Sequence, residues 1–216
     1  MLKAVIFDMD GLLIDSEPYW EEVEIEVFGR LGVPMTLELK QDTVGIRTKD
    51  IVKHWHEQYP WDYYSVDEVV DQIIQEMCRK VEADPRVLPG ARDVIDFFEK
   101  KNIRLAIASS SPYKLIYTGI KAFGVDRFEV LHSGVDEEFG KPDPATYLST
   151  LKKLNLNAEE CVVFEDSVNG FKAGYTSGIR TIAVPEEHNY NNTSFDKAYL
   201  KLRSLKEFSE AHFQSL

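Results

Sequence analysis

Short apolar runs alternate along this chain with helix-length amphipathic stretches, and three of the runs stop abruptly on polar residues. Lys3–Phe7 stops on Asp8, Ile103–Ala108 on Ser109, and Cys161–Phe164 on Glu165. Further short strands are expected near Val130–His132 and over Thr181–Val184. Between them, Val94, Ile95, Phe97 and Phe98 mark one helix, and others are expected over Tyr113–Phe123 and Val168–Ser177, the last ending at Gly178. A further helix should take Asp143 as its N-cap and Pro144 at its first position. Strands that alternate with helices pair in parallel through right-handed crossovers. The expected fold class is therefore α/β, with a Rossmann-like doubly wound parallel sheet. Such sheets bind ligands outside the carboxyl ends of their strands, so all these polar residues should emerge along one edge.

One stretch interrupts the alternation. After Gly11 the pattern stays helical for about seventy residues and lacks convincing strands. Trp20, Val23, Val27 and Leu31 form one helical stripe, closed by Gly32 and Pro34. A second helix is expected over Thr48–Gln58 and a third over Ser65–Val81, opened by the capping-box pair Ser65 and Glu68. The expected division is an α/β core of residues 1–15 and 86–216 with a helical cap inserted over 16–85.

Asp8 and Asp10 stand two residues apart, with Gly11 directly after them. Extended residues with that spacing project to one side, so both carboxylates can aim at one point. Like charges that close repel, and a bound cation or a shared proton is the usual remedy. A solvated acidic turn is the competing reading of the pair taken alone. The net charge of −12 argues against general nucleic-acid binding, which needs clustered Lys and Arg. It also requires that any anionic substrate meet local positive charge. Cys78 and Cys161 lie in apolar surroundings without CxxC spacing, as structural thiols in a reducing cytosol would. The N-terminus reads as a strand rather than a signal peptide, and no apolar run approaches membrane-spanning length. A cytoplasmic protein with no membrane partner is expected.

Four segments together carry a resemblance: Asp8-Met9-Asp10-Gly11, Ser109, Lys141 within Gly140-Lys141-Pro142, and Glu165-Asp166. In this order they resemble the motifs of the haloacid dehalogenase superfamily, over almost the whole chain. The inserted helices match the cap of its β-phosphoglucomutase-like subgroup. The resemblance implies Mg²⁺-dependent phosphoryl transfer with Asp8 as nucleophile and Asp10 as general acid and base. Dehalogenases similar to this pattern lack the second carboxylate, because a halide leaves without a proton. It further implies a metal site formed by Asp8, the Asp10 carbonyl and Asp166, with Glu165 behind them or reaching the ion through a water. Ser109 and Lys141 would bind the substrate phosphate. Ser110 and Ser111 are further candidates there, although both read equally well as helix N-caps. Asp166 or Ser167 could likewise cap the helix that follows them.

Cap contacts to substrate are expected from Glu17-Pro18-Tyr19-Trp20 and Val44-Gly45-Ile46-Arg47-Thr48, with Glu17, Trp20, Gly45 and Arg47 as the named candidates. Trp20 also heads the apolar stripe and fits a packing role, as do Trp55 and Trp61. Trp20 occupies the place where β-phosphoglucomutases usually carry a cap His, and the Ser-Arg pair that follows their cap glycine is replaced by Ile46-Arg47-Thr48. The chain looks more like hexose and hexitol phosphatases of the 2-deoxyglucose-6-phosphatase kind. A phosphatase for small phosphorylated sugars is expected, with β-phosphoglucomutase activity as the alternative. A monomer is expected, since the chain carries its own lid.

Overall fold

The protein is seen in a computed structural model, which describes residues 1–36, 39 and 45–216. Val44, in the expected cap contacts, lies outside the described residues. Six parallel strands form one sheet in the order β3-β2-β1-β4-β5-β6. They are β1 (Ala4–Phe7), β2 (Arg104–Ser109), β3 (Val130–Ser133), β4 (Cys161–Glu165), β5 (Arg180–Ala183) and β6 (Leu200–Lys201). The chain winds outward from β1 to β3, then crosses back to β4 and winds the other way. That reversal puts a crevice beyond the carboxyl ends of β1 and β4, where a doubly wound sheet offers a binding site.

The sheet is buried on both faces, as a parallel sheet must be. Along β1, Val5 and Phe7 enter one hydrophobic cluster, whereas Ala4 and Ile6 enter the other. The register aligns Phe7 with Ile107 on one side and with Phe164 on the other. Phe7 and Phe164 stack with centroids 5.2 Å apart, and Phe98 closes on Phe164 at 5.9 Å; none of the three is exposed. Truncating any of them would cost roughly 3–5 kcal/mol. Because Asp8 and Glu165 directly follow Phe7 and Phe164, this packing holds two carboxylates at the sheet edge.

The inserted segment folds as α1 (Glu17–Arg30), α2 (Thr48–Gln58) and α3 (Val66–Ala83). The α3 capping box forms as its sequence requires: Ser65 Oγ accepts from the Glu68 N–H, and the Glu68 carboxylate accepts from the Ser65 N–H at 2.7 Å. Trp55 and Trp61 are packing residues, 2% and 5% exposed. The buried side chains of these helices belong to the same apolar cluster as one face of the sheet. Helix α3 packs on α5 (Tyr113–Phe123), next to α4 (Ala91–Lys100), α6 (Ala145–Leu154), α7 (Val168–Thr176) and α8 (Glu210–Ser215) around the sheet.

Two expectations need correction by small amounts. Pro144, not Asp143, is the N-cap of α6; Asp143 stands one residue earlier, and its Oδ1 accepts from the Ala145 N–H at 2.9 Å. Neither Ser110 nor Ser111 caps α5, because Pro112 takes that position in extended geometry. The short edge strand β6 and helix α8 carry little periodicity and were not anticipated.

Candidate active site

Four chain segments meet at the carboxyl edge of the sheet. Asp8 is the residue after β1, Ser109 ends β2, Glu165 ends β4, and Lys141 lies in the loop before α6. The Lys141 ammonium, 3% exposed, donates to Asp8 Oδ1 at 2.6 Å, to Glu165 Oε1 at 2.5 Å and to the Ala108 carbonyl at 3.2 Å. Burial pulls the Lys141 pKa down, but the Asp8 and Glu165 charges outweigh it and hold the ammonium protonated. Glu165 is fully buried: Tyr147 donates its hydroxyl to Oε1, and the Asp166 N–H donates to Oε2 at 3.1 Å. Both Glu165 oxygens are thereby engaged, and the carboxylate fixes where the ammonium points.

Asp10 has different company. Its Oδ1 accepts from Ser16 Oγ at 2.8 Å and from the Trp20 indole N–H at 3.3 Å; its Oδ2 accepts from Ser111 Oγ at 2.8 Å and Ser109 Oγ at 3.3 Å. Serine hydroxyls can donate or accept by rotating, so this cradle holds the carboxyl group in one orientation whether or not it carries a proton.

Burial is the main cause that pushes the Asp8 carboxyl up to about 8; Lys141 opposes it, while Glu165 and Asp10 add to it. Asp166 is raised well above the usual carboxylate range by burial and then by the Glu165 and Asp8 charges. These oxygens are crowded without enough positive charge. One oxygen each from Asp8, Glu165 and Asp166 lie within 4.8 Å of one another, the one such acidic group among the described residues. Asp166 Oδ1 is buried with no hydrogen-bond partner, and Gly11 makes the room beside it, since a Cβ there would sit 2.3 Å from Asp166 Oδ2. An orphaned buried oxygen amid other carboxylate oxygens is a donor set that suits a small hard cation such as Mg²⁺. The residues fit the ion.

The inserted segment roofs this floor. A cavity of about 50 Å³ is bounded below by Asp8, Asp10, Ser109 and Lys141 and above by residues that include Glu17, Trp20, Glu24 and Gly45. Gly45, at φ +77°, approaches Ser167 so closely that a Cβ would lie 2.7 Å from its Oγ, and its carbonyl accepts from Ser110 Oγ at 2.9 Å. Ser167 Oγ itself caps α7 by accepting from the Gly170 N–H at 3.0 Å. Arg47 is not among the lining residues. Its guanidinium pairs with Asp50 at 2.6 Å and donates to the carbonyls of Gly134, Glu137 and Glu138, so it ties the roof to the loop after β3 instead of facing the cavity. Arg47, expected among the cap contacts to substrate, is therefore engaged elsewhere and does not line the cavity.

Ser16, Glu24 and Tyr147 were missed as site residues, and Ser111, expected either at the phosphate or as an N-cap, instead donates to Asp10. Glu24 alone left a signal, as a carboxylate on the buried stripe of α1 formed by Tyr19, Trp20, Val23, Val27 and Phe28. Tyr147 sits on a helix and gave none.

Hexitol phosphatase B of Escherichia coli strain K12 is 36% identical over 210 residues, covering 96% of this chain and 95% of that protein. A phosphorylated carbohydrates phosphatase of Thermotoga maritima is 33% identical over 84% of each chain. Among solved structures, CbbY from Rhodobacter sphaeroides in complex with phosphate superposes with a TM-score of 0.88 at 25% identity, over 99% of this chain and all of the other. The sequence profile of the haloacid dehalogenase-like hydrolases matches residues 5–184, from β1 past β5. By that match and by the relatives' coverage, this chain belongs to the haloacid dehalogenase-like hydrolase family.

Proposed function

We propose that this protein is a Mg²⁺-dependent phosphatase of small sugar phosphates, hexose and hexitol phosphates, working through a covalent aspartyl-phosphate. One observation carries the reading: two aspartates two residues apart have opposite surroundings, Asp8 against an ammonium and Asp10 within hydroxyls and an indole. A nucleophile must be ionised; the Lys141 ammonium favours that form of Asp8 against burial, and a bound cation would add to it. A group that gives and then takes a proton must hold its place in both states, and the Asp10 cradle permits it. The names of the relatives, hexitol phosphatase and phosphorylated carbohydrates phosphatase, support the substrate class.

In the first half-reaction an Asp8 carboxylate oxygen attacks phosphorus, the bond from phosphorus to the sugar oxygen breaks, and Asp10 delivers its proton to that oxygen. In the second, water attacks phosphorus as Asp10 takes its proton, and phosphate leaves Asp8. Lys141 and Ser109 bind the phosphate oxygens, with Ser110 beside them; Glu165 and Tyr147 keep the ammonium aimed. Asp8, the Asp10 carbonyl and Asp166 would hold Mg²⁺, with Glu165 supporting them from behind. When bound, the ion supplies positive charge to the phosphoryl oxygens. Phosphoryl transfer depends chiefly on such positioning and charge.

Residues 1–15 and 86–216 form the catalytic core in this reading, and 16–85 the cap that excludes water. A cytoplasmic monomer without nucleic-acid or membrane partners completes it; among the described residues no helix is long and apolar enough to cross a membrane. The test is phosphate release from a hexitol 6-phosphate with Mg²⁺ and with EDTA. Metal-dependent release is expected, and none under either condition would overturn the proposal. β-Glucose 1-phosphate with a trace of bisphosphate addresses the alternative: free phosphate identifies a phosphatase, whereas accumulation of glucose 6-phosphate identifies a mutase.

A further inference from the structure

The loop from β3 to α6 delivers Lys141 to the floor, and the roof grips that loop through one side chain. Arg47 stands directly before α2, and its side chain is 13% exposed. Nε pairs at 2.6 Å with Asp50, in the first turn of α2, which fixes the plane of the guanidinium. Nη1 donates to the carbonyls of Gly134 and Glu137 at 3.1 and 2.6 Å, and Nη2 to that of Glu138 at 3.2 Å. The stem of the same side chain lies against Gly140, where a Cβ would sit 2.7 Å from Nε and 2.9 Å from Cγ. Gly140 is the residue before Lys141, and its carbonyl accepts from the Asp143 N–H at 3.0 Å. One cap residue thus follows the loop from Gly134 up to the peptide that carries the ammonium.

We propose that Arg47 is a positioning residue for Lys141: docked on the loop and packed on Gly140, it sets the backbone from which the ammonium reaches Asp8 and the substrate phosphate. This rests on the phosphatase reading above, in which Lys141 binds the phosphoryl group. A lysine is a point charge on a flexible stem, so its aim depends on where its backbone is held. Surface loops open more readily than the elements they join. Glu138 and Phe139 are exposed, Phe139 at 60%, so the stretch just before Lys141 gains little from burial and depends on its hydrogen bonds. Arg47 supplies charge-assisted ones to the carbonyls of Glu137 and Glu138. His132 holds the Glu137 carboxylate at 2.6 Å from the sheet side, so the segment lies between an anchor in the core and one in the cap. Arg47 therefore comes from the roof and acts on the floor: the ammonium is fully aimed only when the cap is seated. Small displacements of a charge at a phosphoryl-transfer site lower the rate. Without Arg47 the ammonium still has Asp8, Glu165 and the Ala108 carbonyl, so the loss is moderate.

The experiment compares wild type, Arg47→Ala, Gly140→Ala and the double variant on a hexitol 6-phosphate and on phenyl phosphate with saturating Mg²⁺, and follows amide exchange in each. Gly140 is outside the left-handed region, so alanine strains no backbone there and its methyl acts by displacing Arg47. Each single variant should lower kcat about fivefold, by the same factor on both compounds, because the phosphate is what they share. The double variant should lose no more than about twofold beyond either single one. The Asp143 N–H, bonded to Gly140 across Lys141, should exchange several-fold faster together with residues 134–138. Gly140→Ala serves if Arg47→Ala does not fold. A kcat within about twofold of wild type in both variants, or an unchanged exchange rate at Asp143, would overturn the proposal, since Arg47 would then merely fasten the cap. So would additive losses in the double variant, or a loss on the hexitol phosphate alone, which would mean contact with the sugar. A wild-type protein inactive on both compounds would instead defeat the phosphatase reading, and exchange at Asp143 would still decide whether Arg47 orders the Lys141 segment.

Discussion

The floor and the roof of the cavity are built on different principles. The floor is four strand-end or loop residues held by a sheet whose register leaves no freedom, with Asp8 and Glu165 sharing one ammonium, Lys141, and Asp166 left without a cation partner among the described residues. The roof is one helix face and one glycine turn, mostly apolar, with Glu17 and Glu24 set into it, and it is tied down through Arg47 and Gly45. Charge that has to be aimed within fractions of an ångström is placed on the rigid part. In the proposed reading, contacts that vary with the substrate would fall to the roof. If that reading holds, mutations in the floor and in the roof should have separable effects on rate and on selectivity.

The largest effect should come from the floor. Asp8→Asn should lower kcat by at least about 10⁴-fold with the circular dichroism spectrum unchanged, because an amide oxygen cannot form the covalent intermediate. Appreciable residual turnover would break the division just drawn. Lys141→Met should lower kcat by about 10²–10³-fold and also destabilise the fold by about 3–5 kcal/mol, since it leaves Asp8 and Glu165 buried and opposed. Denaturant unfolding measures the second number, and a purely catalytic loss would contradict the ion-pair argument.

The next effect concerns pH and metal. Without metal, Asp8 is raised from an ordinary value near 3.8 to about 8, so its protonated form is the one the fold favours. Its contribution to metal-free stability is then complete at low pH and is lost as pH rises through about 8. A divalent cation reverses that sign. The gap in Tm between Mg²⁺-loaded and EDTA-treated protein should therefore widen from about pH 6 to about pH 8.5, and Mg²⁺ binding should release protons in calorimetry. A gap independent of pH would sink the assignment of Asp8 to the cation. The smallest effect belongs to the roof. Arg47→Ala should speed amide exchange of residues 134–138 by about tenfold while changing kcat only a few-fold. A loss as large as that of Lys141→Met would mean that Arg47 reaches the substrate after all.

Most of the floor could be read without coordinates. Asp8, Ser109 and Glu165 follow apolar runs that can only be buried strands, and parallel strands bring their ends to one edge. Lys141 was legible through its place in the resemblance and its proline-flanked loop. The roof was less legible for a physical reason: helical periodicity shows which residues share a face but not what that face meets. Trp20 was read both as a substrate contact and as packing, neither of which told that it donates to Asp10, and Glu24 went unnoticed on the same stripe. Arg47 shows the converse. A cation near a phosphate site invites that role, yet backbone carbonyls of a distant loop compete for it, and no local pattern reveals them.

Ser110 carries one hydroxyl proton, and at rest it is spent on the Gly45 carbonyl. A phosphoryl oxygen arriving beside Ser109 could draw that same proton only by taking it from the lid. Ser110 would then give its proton either to the Gly45 carbonyl or to the substrate, and a cap closed over bound substrate would rest on its other ties, such as those of Arg47 to the carbonyls after β3.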